Sequence, residues 1–184
     1  LSVLEFGADP SGRADSQPAI AAARDAALKA GRILVFPEGE YKVGRPVAFG
    51  FPRMHARGEG RVVIQAAFDG SYVASVDGGA DNIIYQSSLA NLTLRGNGSP
   101  GQGGLYVRNA VHGHRSDIRV RNVAGRAFCV ESDVFSVYER LVSDAQNDGD
   151  EREHKPSVDL YVGSTKAFGS TTACTFRDCI FEEG

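Results

Sequence analysis

Read residue by residue, the 184-residue chain should wind into an all-β parallel solenoid closed at one end by a single α-helix. Two observations carry this expectation. First, the second half repeats itself: Asn91–Arg95, Asp117–Arg121, Arg140–Asp144 and Asp178–Glu182 align as one short strand, with starts 26, 23 and 38 residues apart, the last step enlarged by an insertion. Second, another strand set, Leu105–Val107, Phe128–Val130 and Leu160–Val162, recurs at separations of 23 and 32. Two strand sets sharing one period imply one coil per repeat, the signature of a stacked architecture.

The helix comes first. Asp15 or Ser16 can cap it, Pro18 suits its first turn, Ile20, Ala23, Ala27 and Leu28 share a face, and Gly31 ends it. Beyond it the periodicity shortens to extended runs: Ile33–Phe36, then Tyr41–Val43 after the Pro37–Gly39 turn, Val47–Phe49 and Val62–Gln65. In the repeats, alternation turns Leu92/Leu94, Ile118/Val120, Leu141/Ser143 and Cys179/Phe181 inward, and likewise Leu105/Val107, Phe128/Val130 and Leu160/Val162. Stacking such coils ~4.8 Å apart pairs each strand with its successor and lines apolar residues into ladders. Leucine-rich repeats have a similar period, but their Leu-x-x-Leu-x-Leu-x-x-Asn frame is absent. An exposed strand edge at the first coil needs a cover, and the helix near Asp15–Ala30 is expected to supply it.

Composition narrows the function classes. With 42% hydrophobic residues and 20 Lys+Arg against 23 Asp+Glu, the chain has the profile of a folding sequence, and its net charge of −3 gives no electrostatic reason to expect nucleic acid or an anionic membrane. The stretch Ala19–Ala30 is broken by Arg24, Asp25 and Lys29 and is too short for membrane insertion. Cys129, Cys174 and Cys179 have neither zinc-site spacing nor an even count for a full disulfide framework, although two could pair. Leu1–Glu5 lacks the features of a secretory signal, and a chain beginning at Leu reads as a trimmed or processed piece.

The opening residues carry more. Leu4-Glu-Phe-Gly-Ala-Asp9, Gly12, Asp15, Ala19-Ile-Ala-Ala-Ala23, Ile33-Leu-Val-Phe-Pro37, Gly39, Tyr41 and Val43 together resemble the start of the pectate-lyase-like right-handed parallel β-helix proteins. Ser16 and Gln17 replace the Asp and Thr usual in that capping segment, and the first Gly of its Gly-Asp-Gly run is missing at Asp9–Gly12. The resemblance implies a single-stranded right-handed β-helix over residues 1–184, with 1–45 as cap and first strands and 46–184 as coils. About four or five coils is short for the family, so the N-terminal part of a longer solenoid is expected. The family includes phage tailspike depolymerases, polygalacturonase-like hydrolases, pectate and alginate lyases and alginate epimerases. It thus implies a polysaccharide partner and a place outside the cell or on a virion surface, without selecting a reaction. Phe6, Gly7 and Asp9 belong to this structural segment and do not locate a site.

Candidate chemistry lies elsewhere. The insertion Ala145–Pro156 gathers Asp148, Asp150, Glu151, Glu153 and His154, acids and a base on a loop of a rigid scaffold. Glycoside hydrolysis needs two carboxyls and lyase chemistry a base beside the sugar proton, so Asp148, Asp150, Glu131 and His154 form the candidate catalytic set. Asp148, Asp150 and Glu151 could also offer oxygen ligands to calcium, without the spacing of a recognised calcium loop; no other cofactor is indicated. The outward positions of the second strand set carry Tyr106, Arg108, Cys129, Glu131, Asp159 and Tyr161, of which Tyr106, Arg108, Asp159 and Tyr161 are the expected sugar contacts. Arg108, Arg115, Arg119, Arg121 and Arg126 with His112 and His114 form a basic stretch suited to an acidic polysaccharide. His112 and His114, two apart on a strand, should face one side, and Cys179 should be a core residue. A polysaccharide hydrolase or lyase is the favoured reading; a non-catalytic glycan-binding module and a structural stalk within a homotrimeric fibre are the alternatives.

Overall fold

A computed structural model describes residues 1–143, 156–165 and 169–181. They are mostly strand, in parallel sheets, with one α-helix, α1 (Gln17–Ala30). The chain passes repeatedly over itself. The first pass holds β1 (Leu34–Phe36), β2 (Gly39–Val43) and β3 (Val47–Ala48), and the second β4 (His55–Gly58), β5 (Val62–Ala66), β6 (Tyr72–Asp77) and β7 (Ile84–Tyr85). Next come β8 (Ser88–Arg95), β9 (Gly103–Arg108) and β10 (Ala110–Val111), then β11 (His114–Arg121) and β12 (Arg126–Glu131). The last strands are β13 (Val137–Glu139), β14 (Val142–Ser143), β15 (Val158–Thr165), β16 (Gly169–Ser170), β17 (Thr175–Arg177) and β18 (Ile180–Phe181).

Apart from the antiparallel β15–β16 pair, the strands pair in parallel with their counterparts one pass later, and the register carries side chains into columns. Both anticipated columns are present: Leu94, Val120, Ser143 and Phe181 align, as do Leu105, Phe128 and Leu160. They extend further back than the sequence indicated, through Tyr41 and Ile64 in the first and Val47 and Ala74 in the second. A third column, Leu34, Ala56, Leu89, Arg115, Tyr138 and Phe176, was not anticipated. The repeat starts Asn91, Asp117, Arg140 and Asp178 are left-handed bends, with φ of 55°, 55°, 49° and 53°, that turn the chain between two faces of the stack. Four expected core positions of the last pass differ: Val162 is 46% exposed and Leu160, Cys179 and Phe181 are only partly buried, because among the described residues no further parallel strand stacks on β15, β17 or β18.

The first pass is covered as expected. Ile20, Ala23 and Ala27 of α1 are buried against β1, β3 and a short 3-10 turn at Val3–Phe6. Asp15, rather than Ser16, caps the helix: its Oδ1 accepts from the Gln17 and Gly44 amides, both at 2.9 Å, tying helix to sheet. Ser16 Oγ instead accepts from the Asp9 amide at 2.9 Å. At the other end Arg32 N–H reaches Ala27 O at 2.9 Å beyond Gly31. Asp9 organises the preceding loop, accepting from the Ser11 amide and hydroxyl and the Arg13 and Ala14 amides, and these bonds pull its pKa down to about 2.

The interior is not wholly apolar. Arg115 occupies the third column fully buried, donating from Nη1 to Ser87 O at 2.9 Å and from Nη2 to Ser87 Oγ at 3.0 Å. Gly113 makes room for it, since a Cβ there would lie 1.9 Å from Nη1. Nearby, the buried Asp133 carboxylate accepts from Ser136 Oγ at 2.7 Å and from the Tyr138 hydroxyl. Burial raises the Asp133 pKa, and the field of Arg115 is among the influences opposing that rise.

Two predictions follow from these anchors. The Asp9 carboxylate is depressed in the folded state, so its stabilisation is present above the unfolded pKa of 3.8 and is lost as pH falls through about 2. Melts between pH 6 and pH 2 should show a steeper acid loss in the wild type than in Asp9→Asn; parallel curves would refute this. Asp133→Ala orphans the Ser136 and Tyr138 hydroxyls and removes a carboxylate near Arg115, so urea unfolding should register a loss of about 3 kcal/mol.

Candidate functional site

The sheet β3–β6–β9–β12–β15 presents an outer face built by two rows of side chains. Ser75, Tyr106, Cys129 and Tyr161 share one register, and Asp77, Arg108, Glu131 and Gly163 the next. Of the sequence-predicted residues, this brings Tyr106, Arg108 and Glu131 together. The Tyr106 hydroxyl donates to Glu131 Oε2 at 2.6 Å. Arg108 donates in a fork to Asp77, Nε to Oδ1 at 2.7 Å and Nη2 to Oδ2 at 2.9 Å, and its guanidinium lies 5.6 Å from the Tyr106 ring centre. Tyr72 stacks on Tyr106 with centroids 5.0 Å apart; its ring covers Gly103, where a Cβ would come within 2.4 Å of it. Burial, and then the hydrogen bond to Glu131, raises the Tyr106 pKa, and burial likewise raises that of Tyr72. The bidentate Asp77 holds Arg108 still more firmly protonated.

Other expected contacts are placed differently. Tyr161 lies beneath Arg126, whose guanidinium carbon is 3.8 Å from the ring centre. Cys129 is on the outer row as expected yet is buried, because Arg126 Nη1 reaches its sulfur at 3.5 Å and Tyr72 leans on it. Asp159 leaves the face: it accepts from Ser143 Oγ, in an interior column, at 2.5 Å. Asp148, Asp150 and His154 of the candidate catalytic set, and the suggested calcium ligands Asp148, Asp150 and Glu151, lie outside the described residues. Among the described residues no cluster of three or more His, Cys, Asp or Glu is arranged for a metal, and no helix is long and apolar enough to cross a membrane.

The basic stretch does not form one surface. Arg108 and Arg126 are on this face, Arg115 is interior, and Arg119 and Arg121 point from β11 into a cavity of about 300 Å³ shared with Arg61, Arg95, Thr93 and Glu40. Nor do the two histidines act together. A left-handed bend at His112 breaks the alternation, so His112 stacks on Phe135 while His114 approaches Glu139 at 3.7 Å. Asp77 and Tyr72, missed from sequence, belong to a pass whose spacing to the next is 31 residues instead of the 23 seen later.

The fold is shared with solved structures. The structure of ORF18 of Geobacillus virus E2 superposes with a TM-score of 0.77 at 19% identity, over 97% of this chain and 35% of that one. PfbA, a surface adhesin of Streptococcus pneumoniae, gives 0.73 at 17%, over 97% and 48%. The A-module of the Azotobacter vinelandii mannuronan C-5 epimerase AlgE6 gives 0.54 at 23%, over 78% and 50%. The chain spans between about a third and a half of these structures. No protein-family model and no curated sequence matches it.

The tyrosines offer a direct check of the site. Titration followed at 295 nm should find Tyr106 ionising above an ordinary phenol, and Glu131→Gln should bring it down by removing a neighbouring negative charge. An unchanged titration in that variant would mean that the two groups do not meet.

Proposed function

We propose that residues 1–184 form a segment of a right-handed, pectate-lyase-like β-helix that binds a polysaccharide on the outer face of β6, β9, β12 and β15. The observation that carries this is the row Asp77–Arg108–Glu131 beside the stacked Tyr72 and Tyr106. One guanidinium stands between two carboxylates, the polar groups are held by one another and by Tyr106, and the rings are half-buried, so hydroxyl-rich units meet donors and acceptors already in position. Arg108 and Arg126 would draw uronate carboxylates, which extends the partner to acidic polymers. Right-handed coiling is supported by the strong handedness preference of parallel crossovers. A virion or cell-surface location fits the likeness to a phage protein and a surface adhesin, and a homotrimeric fibre is compatible with it.

A second reading, polysaccharide depolymerase, has its own support. Asp77 and Glu131 stand at one register two strands apart, which sets their backbones roughly 9–10 Å from each other, near the ~6.5–9.5 Å between carboxyls that accommodates an attacking water in inverting hydrolysis. Asp77 and Glu131 would then supply the acid and base, with Asp148, Asp150 and His154 of the insertion as further candidates.

Binding to polygalacturonate, alginate, dextran and a bacterial capsular polysaccharide is the test. Arg108→Ala leaves Asp77 without its partner and should weaken binding by about tenfold or more, with the circular-dichroism spectrum unchanged. Wild-type protein that binds none of them, or an Arg108→Ala variant that binds as well, would sink the proposal. Release of reducing ends, or of products absorbing at 235 nm, that disappears in Glu131→Gln would establish the depolymerase instead.

A further inference from the structure

We infer that the corner beyond this face is a second glycan-contact subsite, in which a pyranose ring packs on His112, itself backed by the stacked Phe135 ring, and hydrogen-bonds to Arg53 and Gln86; the inference rests on the polysaccharide reading. Arg53, Gln86, His112 and Phe135 occupy equivalent bends on successive passes, with φ of 58°, 54°, 55° and 57°. Each bend is fixed by its own backbone N–H, which donates to the next pass: Arg53 to Tyr85 O at 2.8 Å, Gln86 to Val111 O at 3.0 Å, His112 to Val134 O at 3.0 Å and Phe135 to Thr172 O at 3.2 Å.

Left-handed backbone favours Gly, Asn and Asp, and a bulky side chain there is strained. At several other corners the chain follows that preference. Asn91, Asn109 and Asn122 sit in the left-handed region, and their amides donate to Gly58 O, Gly79 O and Gly96 O. Here large planar groups take the same conformation without a hydrogen bond in return: Arg53, Gln86 and His112 make no side-chain hydrogen bond to any described residue. Phe135 is 57% exposed, with one ring face on His112 at 5.3 Å. A cavity of about 550 Å³ opens beside them, lined by Pro52, Arg53, Tyr85, Gln86 and His112, with Tyr85 itself 48% exposed. Strain retained at exposed positions without a hydrogen bond in return points to a functional surface. Flat apolar rings flanked by a guanidinium and an amide match a sugar ring, which offers an apolar C–H face and hydroxyls at its rim. The corner also follows directly on the glycan face, since Arg108 and His112, like Glu131 and Phe135, are four residues apart on one pass.

Asparagine substitution separates this subsite from a packing role. Phe135→Asn and His112→Asn place a side chain suited to the left-handed bend, so both should melt at or above the wild-type temperature while affinity for a retarding polysaccharide falls about tenfold. The measurement is affinity electrophoresis in gels containing polygalacturonate, alginate, dextran or a bacterial capsular polysaccharide, with Arg108→Ala alongside. A lower melting temperature in either variant would assign the rings to packing and overturn the inference. Wild-type retardation in both variants, with loss in Arg108→Ala, would overturn it and leave the glycan face standing. A wild-type protein retarded in no gel would remove both.

Discussion

Parallel pairing between successive passes is the interaction on which everything else in this molecule rests. Each strand is short, some only two residues, and could not hold its conformation alone. Its backbone groups are satisfied by the pass before and the pass after, so the register set by one pass is imposed on the next. A slip of one residue would turn a whole strand inside out. The first pass lacks a predecessor, and the chain supplies one: Ser2 bridges to Val35, Ser11 to Glu40, and α1 covers what remains. The carboxylates of Asp9 and Asp15 hold that cover in place, which is why the opening motif is structural rather than chemical.

Because the passes are held by backbone, side chains inside the stack are freer to vary than in a core closed by side-chain packing alone. A column that runs Leu34, Ala56, Leu89 can therefore accept Arg115 and Tyr138, provided their polar atoms find partners. Ser87, Asp133, Ser136 and the space above Gly113 meet most of that demand. A buried arginine with nothing to bond would cost far more than the pairing beneath it could offset.

The same physics explains what could be read from the amino acids. Ile118 and Val120 or Phe128 and Val130 announce their column because apolar residues alternate with polar ones at a recurring interval. The third column hides because its strands are as short as three residues and it contains an arginine at the position where an aliphatic residue would have completed the pattern. On the outer face, alternation correctly grouped Tyr106, Arg108 and Glu131. It missed Asp77 because longer connections on both sides of β8 stretch that pass. It put Cys129 on the outer row but could not show that Arg126 and Tyr72 cover it, nor that Asp159 turns to Ser143, because periodicity along one strand does not register cross-strand contacts.

If the face binds a polymer as proposed, it does so for a geometric reason. Each pass contributes one side chain to a row, and rows advance by the strand spacing of ~4.8 Å, so a ligand lying along the stack meets Asp77, Arg108 and Glu131 in sequence. No single contact has to be strong, because successive contacts share the cost of immobilising one chain and the later ones act at high effective concentration. Such a surface distinguishes a long repeat from its monomer more sharply than one monomer from another. The scaffold would suit that task because its spacing is set by main-chain hydrogen bonds and does not depend on the side chains proposed to do the recognising.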